Sequence, residues 1–258
     1  MKRYIMLGLL VLISINFILT SCSPLYYSPN AHNVPLLSQK GEASLNLSLS
    51  GGDDVTNAVE IQGAYAVAKN IALLGNFYTA RGNEPDYGSG KGSLLEVGAG
   101  YFKPFSPKFI FEAYAGGGLG GVTNFYNPDK LNYSRLRFTK FFIQPAFGFE
   151  SRYFDITLSL RTARLNYHSF NFTETAREED LTNIQNIKNQ PTYYLLEPAL
   201  TLRGGFSNLK IQIQLVKSKN LTYKEFVQEY TNLNLGLYFR IDTKENLRTN
   251  LKTIFNWL

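Results

Sequence analysis

The chain has 258 residues, a formal net charge of +6, 18% charged and 14% aromatic residues, and one cysteine, Cys22. That length suits one large β-domain or two small ones, and a lone cysteine excludes an intrachain disulfide even where export would permit one. The mild, scattered positive charge carries no footprint of nucleic-acid binding, and the two histidines, His32 and His168, form no zinc-ligand cluster.

Lys2 and Arg3 precede an apolar run from Tyr4 to Leu19 that only Ser14 and Asn16 interrupt. A basic start, a short apolar middle and small residues at the exit describe a secretory signal rather than a membrane span. The closing Leu19-Thr20-Ser21-Cys22 resembles the lipobox of bacterial lipoproteins. The resemblance implies a signal peptide over 1–21, a covalent lipid such as palmitate on Cys22, and residence at a bacterial membrane. No other cofactor is expected. Residues 22–41, with Pro24, Pro29, Pro35, Tyr26 and Tyr27, read as an extended lipidated tether. Some lipoproteins of the Bacteroidetes carry an acidic surface-export signal directly after the cysteine; Ser23-Pro24-Leu25-Tyr26 has no acid, so that route is not implied.

Alternation of apolar and polar residues then begins. Ala43, Leu45, Leu47 and Leu49 oppose Ser44, Asn46, Ser48 and Ser50, a period of two that marks a strand with unlike faces. The same pattern predicts strands over 42–50, 59–67, 71–80, 93–102, 109–119, 136–150, 155–165, 192–203, 209–216 and 232–241. The joins after the second, fourth, sixth and eighth strands are short. Those over 81–92, 120–135, 166–191 and 217–231 are long, which is the asymmetry of outer-membrane barrels. With 17 Tyr and 19 Phe, the composition fits their aromatic girdles. The expected fold is all-β, an antiparallel up-and-down transmembrane β-barrel of about ten strands (8–12) over 42–241. An even strand number places both termini on the periplasmic side.

A lipid-facing band must be apolar, so Leu209, Ile211, Ile213 and Leu215 should face outward and Lys210, Gln212 and Gln214 the lumen. Pro145 and Pro198 fall on the apolar face and predict a bulge or strand end. Arg164 interrupts that face and is expected at the outer rim, within reach of water. Over 242–258, Leu247, Leu251, Ile254, Phe255 and Leu258 recur at helical spacing. They predict an amphipathic helix lying on the membrane surface, with Trp257 at the interface.

By this register Glu60, Glu96, Glu112, Glu150 and Glu197 share the lumen with Arg161, Arg203, Lys210 and Arg240. Charges confined in a narrow barrel must pair, so a lumenal charge network that plugs the barrel is expected. Ten-stranded outer-membrane proteases are similar in strand count and place an Asp-His pair with two further acids at the rim. Only His168 with Asp155 or Glu174 could imitate that, and poorly; no enzyme is expected. Gly116, Gly118 and Gly121 satisfy G-x-G-x-x-G without the strand-to-helix context that gives the motif meaning. Leu181, Ile184 and Ile187 suggest one short helix in the 166–191 loop.

Together, the lipobox, the Tyr/Asn/Gly-rich strands and the loop asymmetry resemble the small outer-membrane β-barrel proteins of Bacteroidetes, in a lipid-anchored variant. The resemblance implies an outer-membrane location and a structural or surface-interaction role. Outer-membrane lipid, the barrel-assembly and lipoprotein-sorting machineries, and an unidentified surface partner at loops 120–135 and 166–191 are the expected partners. Two alternatives stand beside this reading. One is a porin-like barrel passing a small ligand; the other is a soluble, lipocalin-like cup with the faces inverted.

Overall fold

The computed structural model describes residues 25–52, 55, 57–84, 88–173, 178–222 and 226–242. Cys22, the signal segment and the expected tail helix lie outside the described residues. The elements in order are β1 (Glu42–Gly51), β2 (Asn57–Ala66), β3 (Ile71–Glu84), β4 (Gly88–Pro104), β5 (Phe109–Phe125), β6 (Tyr133–Glu150) and β7 (Phe154–Phe172). After them come α1 (Glu178–Asn189), β8 (Thr192–Gly205), β9 (Leu209–Lys217), the two-residue β10 (Lys219–Asn220) and β11 (Thr231–Asp242). Consecutive strands pair antiparallel, and β11 joins β1 to β9, so the sheet closes on itself. β10 continues the register of β9 along β8, with Val216 opposite Ala199 and Lys219 opposite Leu196. The two form one stave, and the protein is a ten-strand antiparallel barrel.

The prolines interrupt ladders without shifting them. Between β9 and β10 the pairing lapses beside Pro198, which has no N–H to donate. The β6–β7 ladder runs from Ile143–Thr162 to Ala146–Ser159 in one register and skips Gln144 and Pro145. The bulge of this pair lies elsewhere. Arg137 faces Ser169 while Phe138 faces Tyr167, leaving His168 as the extra residue.

The strands rise further on one side than alternation alone indicated. The β3–β4 connection is only residues 85–87, and the β5–β6 connection only 126–132. Most of the expected 81–92 and 120–135 loops is therefore hairpin. Gly88 opens β4. Its φ is 131°, and a Cβ there would strike the Phe125 carbonyl. In the 166–191 segment the short helix is present as α1, and Ile184 and Ile187 are buried toward the barrel mouth.

The faces sort as a bilayer requires. Leu49, Val97, Leu158, Ile211 and Leu235 are each more than half exposed on the outer wall, while Gln212, Gln214 and Asn234 are fully buried inside. Water would not tolerate so continuous an apolar surface; hydrocarbon requires it. The inverted, lipocalin-like arrangement is overturned by this sorting, because Leu209, Ile211 and Ile213 all lie outside. Arg164 also lies outside, opposite Phe141 and Tyr194, where aromatic side chains edge the apolar band. At mid-strand on β9, Ile213→Lys is expected to destabilise the barrel in phospholipid vesicles by about 2–4 kcal/mol. Urea titration checks this, and an unchanged midpoint would contradict the assignment of the outer face.

Candidate functional site

The lumen is filled by the chain's own N-terminal segment. Leu25 lies at the long-loop end, where its carbonyl accepts from Asn124 Nδ2 (2.9 Å) and where Tyr26 N–H donates to the Val227 carbonyl (3.2 Å). From there the chain descends the barrel to Gly41 and enters β1 at the short-turn end. Residues 29–37 are all buried. Residues 25–41 of the segment expected to be an extended tether thus form an internal plug. Leu25 lies at the long-loop end and the end of β11 at Asp242 at the short-turn end; the termini themselves, expected on one side, lie outside the described residues.

An extended chain inside a barrel must have each backbone polar group satisfied by the wall. The Ala31 carbonyl accepts from Gln62 (3.0 Å) and Arg161 (3.2 Å), and the His32 carbonyl from Gln214 Nε2 (3.0 Å). Gln144 serves Asn33 (2.8 Å), Arg203 serves Val34 (2.7 Å), Tyr238 serves Pro35 (2.5 Å) and Arg240 serves Leu36 (2.5 Å). In the other direction, the N–H groups of Ala31, His32 and Leu37 donate to Glu60 (2.9 Å), Gln214 Oε1 (2.6 Å) and Glu112 (3.2 Å). Pro29 and Pro35 carry no N–H, which removes two donors that would otherwise need partners. The direct backbone pairing of the plug outside the turns is sparse, with an isolated parallel bridge between Tyr27 and Gln228. Side chains of the wall therefore act as the solvent of this segment.

At mid-lumen the plug carries Asn30 into a fully buried charge cluster. Lys140 Nζ lies 3.1 Å from Glu96 and 3.9 Å from Glu197, and Arg161 Nη1 lies 3.7 Å from Glu197. The Asn30 carboxamide joins them. Its Oδ1 accepts from Lys140 and Arg161, both at 2.9 Å, and its Nδ2 donates to Glu96 (2.7 Å) and Glu60 (3.2 Å). Tyr27 adds a hydrogen bond from its hydroxyl to Glu197 (2.7 Å). Unpaired, charges so buried would be heavily penalised; here each has an opposite charge or an amide beside it.

All nine residues expected to form the lumenal network face inward, but they do not form one network. Glu60, Glu96, Glu197 and Arg161 meet around Asn30. Arg240 pairs with Glu150 near the short-turn end, and Lys210 pairs with Asp155 at 2.5 Å. Glu112 and Arg203 bond the plug backbone instead, and the Arg203 guanidinium also stacks 3.8 Å from the Tyr238 ring centre. The imagined His168–Asp155 pair does not form. Asp155 stands inside near the start of β7, and His168 is exposed near its other end; Glu174 lies outside the described residues. Gly116 and Gly118 sit within β5, where a Cβ would strike the Val97 or Leu95 carbonyl of β4 first and the Phe142 ring or Glu96 side chain next, so their smallness lets β4 approach closely.

Toward the long-loop end the plug meets an aromatic cluster. Tyr193 and Phe226 stack at 4.1 Å, Tyr167 meets both edge-on, and its hydroxyl donates to the Tyr26 carbonyl (2.7 Å). Beside this cluster a cavity of about 260 Å³ opens between α1 and the upper ends of β3–β5.

Solved structures with this closed-barrel fold include the translocator domain of the autotransporter NalP from Neisseria meningitidis. It is 9% identical, with a TM-score of 0.45, over 77% of this chain and 87% of that one. The KdgM porin is 11% identical (TM-score 0.35; 77% and 98% covered). The outer-membrane protein Ail of Yersinia pestis is 12% identical (0.35; 78% and 100%). Such likenesses concern the fold alone. No protein-family model matches the chain, and no curated protein matches it.

Two residues of the central cluster escape a reading by pattern. Lys140 stands on the inward face of β6 among Leu136, Phe138 and Phe142, all buried. Both faces of that strand are apolar, so alternation gives no contrast there; the parity of Gln144 is the signal that could have exposed it. Asn30 carries no periodic signal at all, because its segment belongs to no strand.

Proposed function

We propose that the protein is a bacterial outer-membrane β-barrel lipoprotein, closed by its own N-terminal segment, with a structural or surface-interaction role rather than a conducting one. The observation that carries this reading is the plug. Residues 26–37 fill the lumen, and the wall residues a porin would present to solute are engaged with peptide. The exposed apolar wall supports placement in a bilayer, and the loop asymmetry supports an outward-facing long-loop end.

On this reading the lipid would be displayed on the loop side. Cys22 is separated from Leu25 only by Ser23 and Pro24, a reach of roughly 10 Å at full extension, and Leu25 sits at the long-loop end. Threading through the lumen then carries the N terminus outward without an acidic sorting signal.

The purified protein is expected to migrate at two mobilities in SDS, unboiled and boiled, and to give no steady current in planar bilayers. Sustained single-channel currents from the intact chain would defeat the closed-barrel reading. A porin-like role has one observation in its favour. The plug is held mainly by side-chain hydrogen bonds, so its displacement would leave the barrel wall intact.

A further inference from the structure

The outer wall carries cations without acids. Every acid whose side chain is described on the barrel strands faces the lumen. On the outside, Arg81, Lys91, Arg135 and Arg137 are exposed near the long-loop ends of β3, β4 and β6. Arg81 lies directly opposite Lys91, and Lys91 is followed across the sheet by Thr123 and then Arg135. Like charges placed directly opposite on one face destabilise a sheet. Thr123, between Lys91 and Arg135 in the ladder, is only 7% exposed. Lys130 adds to the same quadrant, its Nζ 5.7 Å from the Phe125 ring centre.

None of these five cations has an ion-pair partner within 4 Å among the described residues. Asp129, on the β5–β6 turn, has Oδ1 on the Leu131 N–H, and Glu179 of α1 lines the mouth cavity that Arg81 and Lys91 edge. One step toward the short-turn end, Arg137 shares its row with the small or hydroxyl residues Thr79, Ser93 and Gly121. Next below come Phe77, Leu95 and Leu119 on the apolar wall, with Thr139 opposite Leu119 and Phe141 one row further down. Cations over hydroxyls over hydrocarbon match the layering of one kind of ligand.

We propose that the β3–β6 quadrant binds an anionic, phosphate-bearing lipid of the leaflet on the loop side. Its phosphates are held by Arg81, Lys91, Arg135 and Arg137, and its acyl chains lie along Phe77, Leu95 and Leu119. The proposal rests on the membrane-barrel reading and adds a lipid class and a location to it. An acidic protein would engage the charges but leave the apolar row beneath them unmatched. Arginine forks suit phosphate oxygens, and basic side chains at a membrane surface each contribute to attraction for anionic lipid.

The test uses the full-length protein in an uncharged detergent, incubated with lipid A, with phosphatidylcholine, or with inorganic phosphate alone, and reads retained lipid by native mass spectrometry. Two variants accompany it: R81Q/K91Q/R135Q/R137Q, and the control R164Q/K217Q, whose cations lie on other staves. Wild type and control should retain lipid A, neither phosphatidylcholine nor inorganic phosphate should compete, and the quadruple variant should bind on the order of a hundredfold more weakly. Raised salt should weaken the wild-type complex. Equal retention by the quadruple variant, an equal loss in the control, or full competition by inorganic phosphate would overturn the site. A single gel mobility for unboiled and boiled wild type would instead overturn the membrane-barrel reading, and the site with it. Two mobilities for the quadruple variant confirm that it is folded.

Discussion

Replacing Arg161 with methionine is expected to cost about 3–5 kcal/mol of unfolding free energy, the range for breaking a buried pair from one side. Arg161 is fully buried. Its guanidinium donates to Gln144 (2.8 and 3.0 Å), Asn30 (2.9 Å) and the Ala31 carbonyl (3.2 Å), and it lies 3.7 Å from Glu197. Methionine roughly fills the volume, so the loss is electrostatic rather than a cavity. Glu197 would keep only Lys140, at 3.9 Å, as a cation partner, and a plug carbonyl would lose a donor. Urea unfolding in vesicles, followed by gel mobility, gives the number, and a loss below about 1 kcal/mol would show that the cluster is hydrated or already neutral. Adding Glu197→Gln to Arg161→Met should restore part of the loss, because the stranded charge is then gone.

The second large effect is on conduction. Deleting residues 25–36 is expected to turn a silent barrel into one that passes steady current. The wall pairs with itself around the whole circumference without any help from the plug, so closure does not depend on the deleted residues. The vacated lumen would expose Glu60, Glu96, Glu112 and Glu197 against Lys140, Arg161 and Arg203, and cations should pass more readily than anions. Two gel mobilities establish that the shortened chain still folds. Asn30→Asp is the milder companion: it sets an oxygen where Nδ2 now donates to Glu96 and Glu60, and brief openings are the expected result. If a folded, shortened barrel conducts nothing, the lumen is sealed by its own side chains and the plug is not the barrier.

Much of the wall is legible in the residue order because a strand's faces are set locally. Alternation with period two holds wherever one face meets hydrocarbon and the other a polar interior, and β1, β9 and β11 show it without interruption. Legibility fades where the contrast between faces fades. Above the apolar band the contrast between the faces is lost, so the upper ends of β3–β6 read as loops although they are paired strand. On β6 both faces are apolar, and Lys140 is lost among them. Pro145 and Pro198 mark disruptions in the sequence, yet whether each shifts the register or merely skips a rung depends on the neighbouring strand.

The plug is the clearest division between the two kinds of information. Residues 25–41 form no strand, carry their polar side chains at irregular spacing, and are rich in the residues of a tether. What places them inside is the closed wall. Gln62, Gln144, Arg161, Arg203, Gln214 and Tyr238 converge on one axis only after ten staves have closed. By itself the sequence determined the staves, their inward and outward faces and the polarity of the lumen, since each follows from contacts two residues apart. Only the tertiary structure decided what fills that lumen and at which end the chain enters it. Those depend on hydrogen bonds between residues far apart in the chain, which no local periodicity records.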